Sequence, residues 1–375
     1  MSFQPIIEAW PRARVEALLA GCGPAHVEAA LAKEAHDRTL ADFAALTSPH
    51  ARPHLEAMAR EAQRLTRWYF GRTISLYAPL YISNLCAADC IYCGFSFRSG
   101  IREKRVTLTA DEIHRECEHL AAHGFQNILL LTGEAPKKVT PGDLAEAVAI
   151  AREYFHGVSV EVYSLDAADY ARLVDRGLEG VTLYMETYDR PTYAQVHLAG
   201  QKADYAYRLD AIERAGHAGV RKLNIGVLLG LTDWRVDAFW MALHGKHVQK
   251  TCWQSALGMS FPRLLHTPER FQVAKAVSDV DLVQLMLAMR LLLPEAGFNL
   301  STREPPRLRD RLIPLGITHM SAGSSTRPGG YGTRGAEVLA QFELEDHRPP
   351  AEVVEAIRRA GYAPVWKDFD HAFHA

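Results

Sequence analysis

From Thr73 onward the sequence alternates between short apolar segments and amphipathic helix patterns. Short apolar segments between helices are typical of strands buried on both faces. Buried strands that alternate with helices form parallel sheets with right-handed crossovers, and eight such units are typical of a closed barrel. We therefore predict the α/β class and a (β/α)8 barrel of the TIM type over residues 71–346, although an open or partly closed sheet fits the same pattern. The eight segments are TISLYAPLYIS, NILLLTGE, VSVEVYSL, GVTLYMETY, KLNIGVLLGL, GMSFPRL, FNLSTRE and ITHMSAGSS.

Helical sequence flanks the barrel pattern at both ends. Residues 1–70 place apolar residues three and four apart in segments such as AHVEAALAKEA, which predicts an N-terminal helical layer. Residues 347–375 predict a short C-terminal extension that consists of a helix and a tail. Within the barrel, Thr109 and Glu112 form a capping box for a helix whose buried face carries Cys117.

The charge balance and the cysteine content narrow the class of partner and the compartment. The 375 residues carry 42 basic and 44 acidic side chains, so we expect no surface for nucleic acid or for an anionic membrane. No segment reaches the roughly 18 apolar residues of a membrane span, and the N-terminus lacks the basic end and apolar run of a signal peptide. The six cysteines show no disulfide framework. We therefore predict a cytoplasmic protein with reduced thiols.

Three of the six cysteines lie close together in the segment CAADCIYCGF. Cys86, Cys90 and Cys93 follow the first predicted strand, at the barrel end where active-site loops collect. A structural zinc site needs a fourth ligand, and no second pair of cysteines or histidines lies at the spacing usual for zinc ligands. His244 and His247 show no ligand pattern, and we expect them at the surface. Three thiolates on a [4Fe–4S] cluster leave one iron open to an outside ligand. A reactive cluster is therefore favoured, while a zinc site or a non-catalytic cysteine–metal scaffold stays open.

The cysteine spacing, with Tyr92 directly before the third cysteine, resembles the motif of the radical S-adenosyl-L-methionine (SAM) superfamily. The resemblance implies a [4Fe–4S] cluster on the three cysteines, whose open iron binds SAM. One electron then cleaves SAM to methionine and a 5′-deoxyadenosyl radical. Over nearly its whole length the chain also resembles the 2-iminoacetate synthase family, the tyrosine lyases of bacterial thiamine thiazole biosynthesis. The segments that carry this likeness are YISNLCAADCIYCGF, METYDRPTY, GLTDWRVDAF, SFPRL, LSTRE, RPGGY and PVWKDFD.

The superfamily resemblance implies a set of SAM-binding residues that includes Tyr92. LLLTGE takes the place of the superfamily's Gly-Gly-Glu motif, so Gly133 would let the backbone approach the methionine part and Glu134 would accept from its ammonium group. Glu161 would bind the ribose hydroxyls, since a carboxylate among apolar strand neighbours needs a partner. Arg208 matches the arginine that holds the SAM carboxylate in related enzymes. The alternatives, an exposed strand-end carboxylate at Glu134 and a solvated Arg208, stay open.

Substrate-binding residues are predicted at the carboxyl ends of the later strands. Arg263 and Arg303 both lie there, and a guanidinium group binds a carboxylate bidentately. Related aromatic amino-acid lyases imply that Arg303 binds the substrate carboxylate and that Ser321 helps to hold the amino group. The alternative is an ion pair between Arg303 and either Glu304 or Asp310.

Three side chains of the fourth predicted strand are candidates for the pocket wall. Tyr184, Glu186 and Tyr188 alternate along GVTLYMETY, which places all three on one face of the strand. They line the substrate pocket if that face is the barrel lumen, and they are structural if it is not. The segment RPGGYG lacks the context of a phosphate loop, and we expect it to cover the barrel mouth.

The family resemblance also implies a reaction and its partners. L-Tyrosine would be cleaved between Cα and Cβ to 2-iminoacetate (dehydroglycine) and p-cresol. Thiazole synthase would take up the 2-iminoacetate, and a flavodoxin-type or ferredoxin-type donor would supply low-potential electrons. The alternatives are the tyrosine lyase of hydrogenase maturation and another aromatic amino-acid lyase. The hydrogenase-maturation enzyme carries a second cluster on a C-terminal cysteine extension, whereas no cysteine follows Cys252 here.

Overall fold

A closed parallel barrel forms the centre of the computed structural model, which describes residues 2–265, 267–273 and 275–367. Each strand pairs in parallel with the next, and the first pairs with both the second and the eighth, so the sheet closes on itself. The prediction of a (β/α)8 barrel is therefore confirmed. The strands are β1 Thr73–Ser83, β2 Asn127–Thr132, β3 Gly157–Glu161, β4 Gly180–Thr182, β5 Lys222–Gly226, β6 Ala256–Ser260, β7 Gly297–Leu300 and β8 His319–Ser321.

Most strands are shorter than the apolar segments that predicted them. β4 ends at Thr182, β6 at Ser260, β7 at Leu300 and β8 at Ser321, and each segment continues as a loop at the carboxyl end of the barrel. The apolar sequence persists because these loops are buried as well. The residues just past the strand ends therefore lie where active sites of such barrels are built.

An N-terminal layer of helices covers one side of the barrel, as predicted. It packs against two long barrel helices, and the side-chain amide of Gln284 donates to the backbone carbonyls of Leu46 at 3.0 Å and Ser48 at 2.8 Å. The layer consists of α1 Gln4–Glu8, α2 Arg12–Ala20, α3 Pro24–Ala32, α4 Leu40–Thr47 and α5 Leu55–Phe70, with 3-10 turns at Ala35–Asp37 and Pro49–His54.

The remaining helices surround the barrel. The one that follows β1 begins with the predicted capping box, in which Thr109 Oγ1 accepts from the backbone N–H of Glu112, and Cys117 is fully buried on its inner face. These helices are α6 Ala110–Ala122, α7 Pro141–Tyr154, α8 Ala167–Asp175, α9 Arg190–Val196, α10 Tyr205–Leu209, α11 Ala211–His217, α12 Trp234–Thr251, α13 Asp279–Leu292, α14 Pro306–Leu312 and α15 Pro350–Arg359, with 3-10 turns at Gln201–Ala203 and Ile313–Leu315.

The C-terminal extension adds a ninth strand that the sequence pattern did not predict. After α15, β9 Ala363–Val365 pairs in parallel with the first residues of β1, Thr73–Ser75. β1 is long enough to carry this strand at one end and the barrel ladder to β2 at the other. Residues 368–375 of the predicted tail, including the end of PVWKDFD, lie outside the described residues.

The surface prediction for His244 and His247 is wrong. Both lie on α12 and are buried, because the N-terminal layer covers this helix. The ring of Phe3 stacks on His244 with 4.3 Å between the ring centroids. His247 lies 3.1 Å from a carboxylate oxygen of Glu213.

Candidate active site

A cavity of about 490 Å³ opens at the carboxyl ends of the strands. It lies between the cysteine loop on one side and the loops after β6, β7 and β8 on the other. Side chains from both halves of the barrel line it, so the fold brings together residues that lie far apart in the sequence. Of the predicted site residues, those that line it are Tyr92, Cys93, Glu161, Tyr184, Glu186, Arg303 and Ser321.

The cysteine loop is held to its neighbours by backbone hydrogen bonds. Ala87 N–H donates to the carbonyl of Glu134 at 2.8 Å, Asp89 N–H to that of Ala199 at 3.1 Å, and Ile91 N–H to that of Val196 at 3.1 Å. The loop is thus braced between the segment after β2 and the segment after α9. Its three thiols are positioned by backbone that cannot shift without breaking these bonds.

Burial shapes the acidity of the three thiols. It raises the pKa of Cys86 to about 11, and it raises the pKa values of Cys90 and Cys93 as well. Such thiols lose their protons when a metal centre supplies positive charge. Within the described residues, no three His, Cys, Asp or Glu side chains converge as ligands of a single metal ion. An iron–sulfur cluster spreads its thiolates over several irons and does not require such convergence.

Gly133 is required by the close approach of the cysteine loop. A Cβ at this position would lie 2.3 Å from the carbonyl oxygen of Leu85 and 3.1 Å from the Cβ of Cys86. The sequence predicted that this glycine makes room for the methionine part of SAM. The structure shows a different contact, with the backbone of the loop that carries the cysteines.

Two acids and two bases form a buried group between the cysteine loop and the cavity. Arg208 Nη1 donates to Glu134 Oε1 at 2.8 Å, and Lys202 Nζ donates to Glu186 Oε1 at 2.7 Å. Lys202 Nζ also lies 3.9 Å from Glu134 Oε1. Burial and Arg208 oppose the charge of Lys202, but Glu186, Cys90 and Glu134 outweigh both and raise its pKa. Arg208 is therefore paired and buried, which excludes the solvated alternative.

One oxygen of this group has no partner. Glu134 Oε2 is buried, and no donor of the described residues bonds to it. A buried carboxylate oxygen without a donor is costly to leave alone. Since Glu134 follows directly on the Gly133 contact with the cysteine loop, its free acceptor fits the ammonium group of an amino acid bound beside the cysteines.

Lys202 was missed by the sequence interpretation. It lies on the 3-10 turn Gln201–Ala203, inside the polar segment GQKADY, where a lysine is normally expected in solvent. No periodicity marks it. The structure shows the cause at Gly200, which has φ +84° and where a Cβ would lie 2.7 Å from the Cα of Ala88. This close approach carries Lys202 inward against the cysteine loop.

Tyr92 is fixed by a neutral histidine. Its hydroxyl lies 2.8 Å from His197 Nε2, and His197 Nδ1 lies 3.0 Å from the carbonyl oxygen of Tyr193. Burial, together with the charges of Lys202 and Arg208, holds the pKa of His197 well below its usual value. The neutral ring therefore donates from Nδ1 to the carbonyl and accepts at Nε2 from the phenol.

Glu161 ends β3 and faces the cavity without a hydrogen bond to any described residue. Burial and the charge of Glu186 raise its pKa to about 7. Burial raises the pKa values of Tyr77, Tyr81 and Tyr184, and the nearby charge of Glu161 raises them further. A carboxyl group in this position is ready to bond to hydroxyl groups of a bound molecule.

The two predicted arginines differ in what they bind. Arg263 Nε donates to Glu304 Oε1 at 2.8 Å, its Nη2 donates to Glu304 Oε2, and its Nη1 lies 2.9 Å from Asp279. Its guanidinium group is therefore fully used within the fold, and it does not line the cavity. Its proposed role at the substrate carboxylate is not supported by this placement.

Arg303 lines the cavity, and its Nη1 donates to the backbone carbonyl of Arg263 at 3.4 Å. Its guanidinium carbon lies 3.7 Å from the centroid of the Phe342 ring. The alternative ion pairs are wrong, because Glu304 pairs with Arg263 and Asp310 pairs with Arg348 at 2.9 Å. Within the described part of the chain, no carboxylate pairs with Arg303.

The prediction that Tyr184, Glu186 and Tyr188 share one face is wrong for Tyr188. The first two line the cavity, whereas the hydroxyl of Tyr188 lies 2.8 Å from His244 Nδ1, on the side of α12. β4 ends at Thr182, and Glu186 adopts a φ of +66°, so strand alternation does not continue to Tyr188. Ser321, in contrast, lines the cavity, and its Oγ accepts from the backbone N–H of Thr302 at 3.1 Å.

Several cavity residues were not predicted. Tyr77 and Tyr81 alternate along β1, and this spacing was a usable signal for two inward side chains. Gln341 and Phe342 come from a C-terminal segment without periodicity, which left no signal. Tyr81 Oη donates to Gln341 Oε1 at 2.5 Å and ties the two parts together. The RPGGYG loop contributes Arg327 to the cavity wall.

Comparisons with known proteins identify the family of this chain. Residues 80–239 match the radical SAM superfamily, and residues 260–363 match the biotin and thiamin synthesis associated domain. The chain is 46% identical over 347 residues to 2-iminoacetate synthase of Escherichia coli (strain K12), with 92% of this chain and 91% of that protein covered. The enzyme of the same name from Salmonella typhimurium (strain LT2) is 46% identical over 330 residues, 88% of this chain and 87% of the relative.

A solved structure shows the same fold over nearly the whole chain. The [FeFe]-hydrogenase maturase HydG from Carboxydothermus hydrogenoformans superposes with a TM-score of 0.88 at 29% identity and covers 98% of this chain and 86% of its own. None of the helices in the described residues is long and apolar enough to cross a membrane. Identity at this level covers about nine-tenths of this chain and of each of the two bacterial enzymes. The chain belongs to the 2-iminoacetate synthase family of the radical SAM superfamily.

Proposed function

We propose that this chain is a carbon–carbon lyase, a 2-iminoacetate synthase that cleaves L-tyrosine to 2-iminoacetate and p-cresol for thiamine thiazole biosynthesis. SAM is consumed to methionine and 5′-deoxyadenosine. The observation that carries the proposal is the cavity itself: Cys93 of the cysteine loop and Lys202 of the buried acid–base group line one side, and Arg303, which pairs with no carboxylate of the described residues, lines the other. The 46% identity to 2-iminoacetate synthase of E. coli supports the same substrate.

The residues fit the two cofactors of the superfamily, a [4Fe–4S] cluster and SAM. Cys86, Cys90 and Cys93 would hold the cluster, and Glu134 would accept from the SAM ammonium group. When bound, these cofactors supply a 5′-deoxyadenosyl radical that removes a hydrogen atom from the amino group of the substrate.

Four further residues would position SAM. Arg208 Nε donates to the carbonyl of Tyr184 at 2.8 Å and Nη1 donates to Glu134, so Nη2 would hold the carboxylate of SAM. Glu161 would bond to the ribose hydroxyls. Tyr92, whose ring is fixed by His197, would contact the nucleoside part. Gly133 acts indirectly, since it lets the cysteine loop approach the segment that carries Glu134.

On the substrate side, the chain's own residues bind and orient tyrosine. Arg303 would bind the carboxylate bidentately, with its flat face on Phe342 and its edge toward the cavity. Ser321 would hold the amino group, and Tyr184 and Glu186 would form the wall beside the ring. Bound SAM and tyrosine would displace water from the cavity, which protects a radical reaction from side products.

Two partners follow from the chemistry. 2-Iminoacetate hydrolyses easily, so direct transfer to thiazole synthase preserves the product. Each turnover needs an electron from outside, for which a low-potential flavodoxin or ferredoxin is suited. Low-potential carriers and reduced thiols both belong to a reducing compartment. We therefore propose that this chain, thiazole synthase and the electron carrier are all cytoplasmic.

Anaerobic purification followed by iron and sulfide analysis tests the metal centre. We expect about four irons per chain with matching sulfide. Zinc without sulfide would overturn the proposal that this chain is a radical SAM enzyme. About eight irons per chain would favour a second cluster, as in the hydrogenase-maturation enzyme.

Anaerobic incubation with SAM, a chemical reductant and either tyrosine or tryptophan tests the reaction. Tyrosine is expected to give p-cresol and 5′-deoxyadenosine together, and tryptophan is expected to give neither in quantity. Cleavage of tryptophan in preference to tyrosine would identify another aromatic amino-acid lyase.

A further inference from the structure

Exposed apolar and basic side chains lie beside residues 88–90 of the cysteine loop. We call this surface the cysteine-side patch and define it by Phe97, Arg98, Ile101, Arg102, Leu198 and Arg270. Phe97 is 47% exposed and Leu198 is 53% exposed, which is unusual for large apolar side chains. Exposed apolar side chains that lie close together with charged residues around them mark interaction surfaces more often than isolated ones do.

The patch is attached directly to the backbone that carries the cysteines. Phe97 N–H donates to the carbonyl of Ala88 at 3.3 Å, and Leu198 N–H donates to the carbonyl of Asp89 at 2.8 Å. Arg270 Nη2 donates to the carbonyl of Cys90 at 3.0 Å. A molecule seated on this patch therefore lies one layer of protein away from the thiols.

The patch is positively charged, although the chain as a whole carries a net charge of −2. Residues 97–105 and Arg270 together carry five basic side chains, against three acidic ones at Glu103, Glu269 and buried Asp89. Asp89 is buried beneath the patch, and Arg270 at 3.0 Å and Arg98 at 3.7 Å neutralise it. Arg102 is exposed and forms no ion pair within the described residues. The local excess of positive charge favours an acidic partner.

We infer that the cysteine-side patch docks a small acidic protein that carries a low-potential one-electron centre. This rests on the proposed function, which needs one electron from outside for each SAM cleaved. The carrier loses one electron, and the centre held by the cysteine loop gains it. A surface that combines exposed apolar and basic side chains suits a transient complex, because charge speeds encounter while the small apolar area allows release.

Charge reversal and apolar-to-polar variants test the patch separately. The first variant is Arg98→Glu with Arg102→Glu, and the second is Phe97→Ser with Leu198→Ser. The matched control is Arg67→Glu with Lys250→Glu; both side chains are exposed, and they lie where α5 and α12 lead into β1 and β6, at the opposite end of the barrel. The control changes the net charge by the same amount as the first variant.

The probe is purified, acidic flavodoxin. Its dissociation constant from the holoenzyme is measured by calorimetry at low and high salt, and p-cresol formation is measured with reduced flavodoxin and, separately, with dithionite. Both patch variants are expected to weaken flavodoxin binding by about tenfold or more at low salt, with a smaller effect of salt in the charge variant. Iron content and the dithionite-supported rate should match the parent.

The outcomes separate this inference from the proposed function. Absence of p-cresol with dithionite in the parent would overturn the proposed function, whatever the binding data show. Unchanged flavodoxin affinity in both patch variants, with the dithionite rate intact, would overturn the docking site alone. Loss of thiazole synthase binding in the patch variants, while flavodoxin binds as before, would assign the patch to that partner and would also overturn the inference.

Discussion

Arg263 and Arg303 show how the surroundings of one residue type decide its role. Both follow a strand at the same end of the barrel, and the sequence offered no way to rank them beyond a resemblance. Arg263 bonds to Glu304, Asp279 and a backbone carbonyl, so its positive charge is already balanced by groups of the protein itself. Arg303 touches an aromatic face and keeps its edge toward the cavity.

Arg303→Ala should therefore raise the tyrosine concentration needed for half-maximal p-cresol formation. A charge-assisted hydrogen bond contributes roughly 1.5–3 kcal/mol, which corresponds to an increase of about ten- to a hundredfold. Iron content and SAM binding should stay at the parental level. Arg263→Ala is the comparison: it leaves buried Glu304 without its partner and should lower the free energy of unfolding by about 3–5 kcal/mol. The reverse pattern, with tyrosine dependence lost only in the Arg263 variant, would exchange the two roles.

Glu161 predicts a pH dependence of stability. Its pKa is raised to about 7 in the folded chain by burial and by Glu186, above the usual value of a glutamate. The folded state therefore holds the proton longer than the unfolded state does, and the free energy of unfolding falls as the pH rises toward 7. Glu161→Gln removes this loss. In denaturant unfolding of the cofactor-free protein, the variant should match the parent near pH 4.5 and exceed it at pH 8, by at most about 3 kcal/mol. An equal difference at both pH values would contradict the raised pKa.

The elements were the most predictable part of the molecule. All eight barrel strands and the capped helix α6 follow from apolar periodicity and capping residues, because burial on a regular element leaves a regular pattern. No such pattern marks the left-handed backbone at Glu186 or the inward path of Lys202, because both depend on loops whose shape is set by tertiary contacts. Tyr188 was misplaced for this reason, and β9 was missed because three residues are too few to show a period.

The substitution Gly133→Ala tests the contact between the segment after β2 and the cysteine loop. In Gly133→Ala the new Cβ would meet the carbonyl oxygen of Leu85 at 2.3 Å, so the cysteine loop must move. Iron content should fall strongly, while the far-UV circular dichroism of the barrel stays close to that of the parent. Gly142→Ala is the control, because its Cβ would find only Thr140 Oγ1 at 3.4 Å, in the first turn of α7. Full iron content in Gly133→Ala would show that the loop tolerates the displacement.

At the scale of the whole molecule, the barrel wall separates two environments. Its inner side carries the cavity, and its outer side is covered by the surrounding helices, among them α12, on which the N-terminal layer packs. Glu186 and Tyr188 are two residues apart, yet Glu186 bonds to Lys202 inside while Tyr188 bonds to buried His244 outside. The turn at Glu186 makes this crossing possible. Chemistry and stability are thus served by neighbouring residues on opposite sides of one wall.

This separation predicts how substitutions in the METY segment divide. A radical lyase must hold the amino N–H close to the radical and must also keep the Cα–Cβ bond aligned for cleavage, and the second condition depends on the wall around the ring. Tyr184→Phe and Glu186→Gln should therefore form more 5′-deoxyadenosine than p-cresol. Tyr188→Phe loses its bond to His244 and should lower the free energy of unfolding by about 1 kcal/mol, while the product ratio stays parental.

The two products are quantified by liquid chromatography in single anaerobic time courses, with denaturant unfolding of each variant in parallel. An uncoupled ratio in Tyr188→Phe would mean that the outer side of the wall also controls substrate alignment, and a parental ratio in both inner variants would remove Tyr184 and Glu186 from the pocket wall.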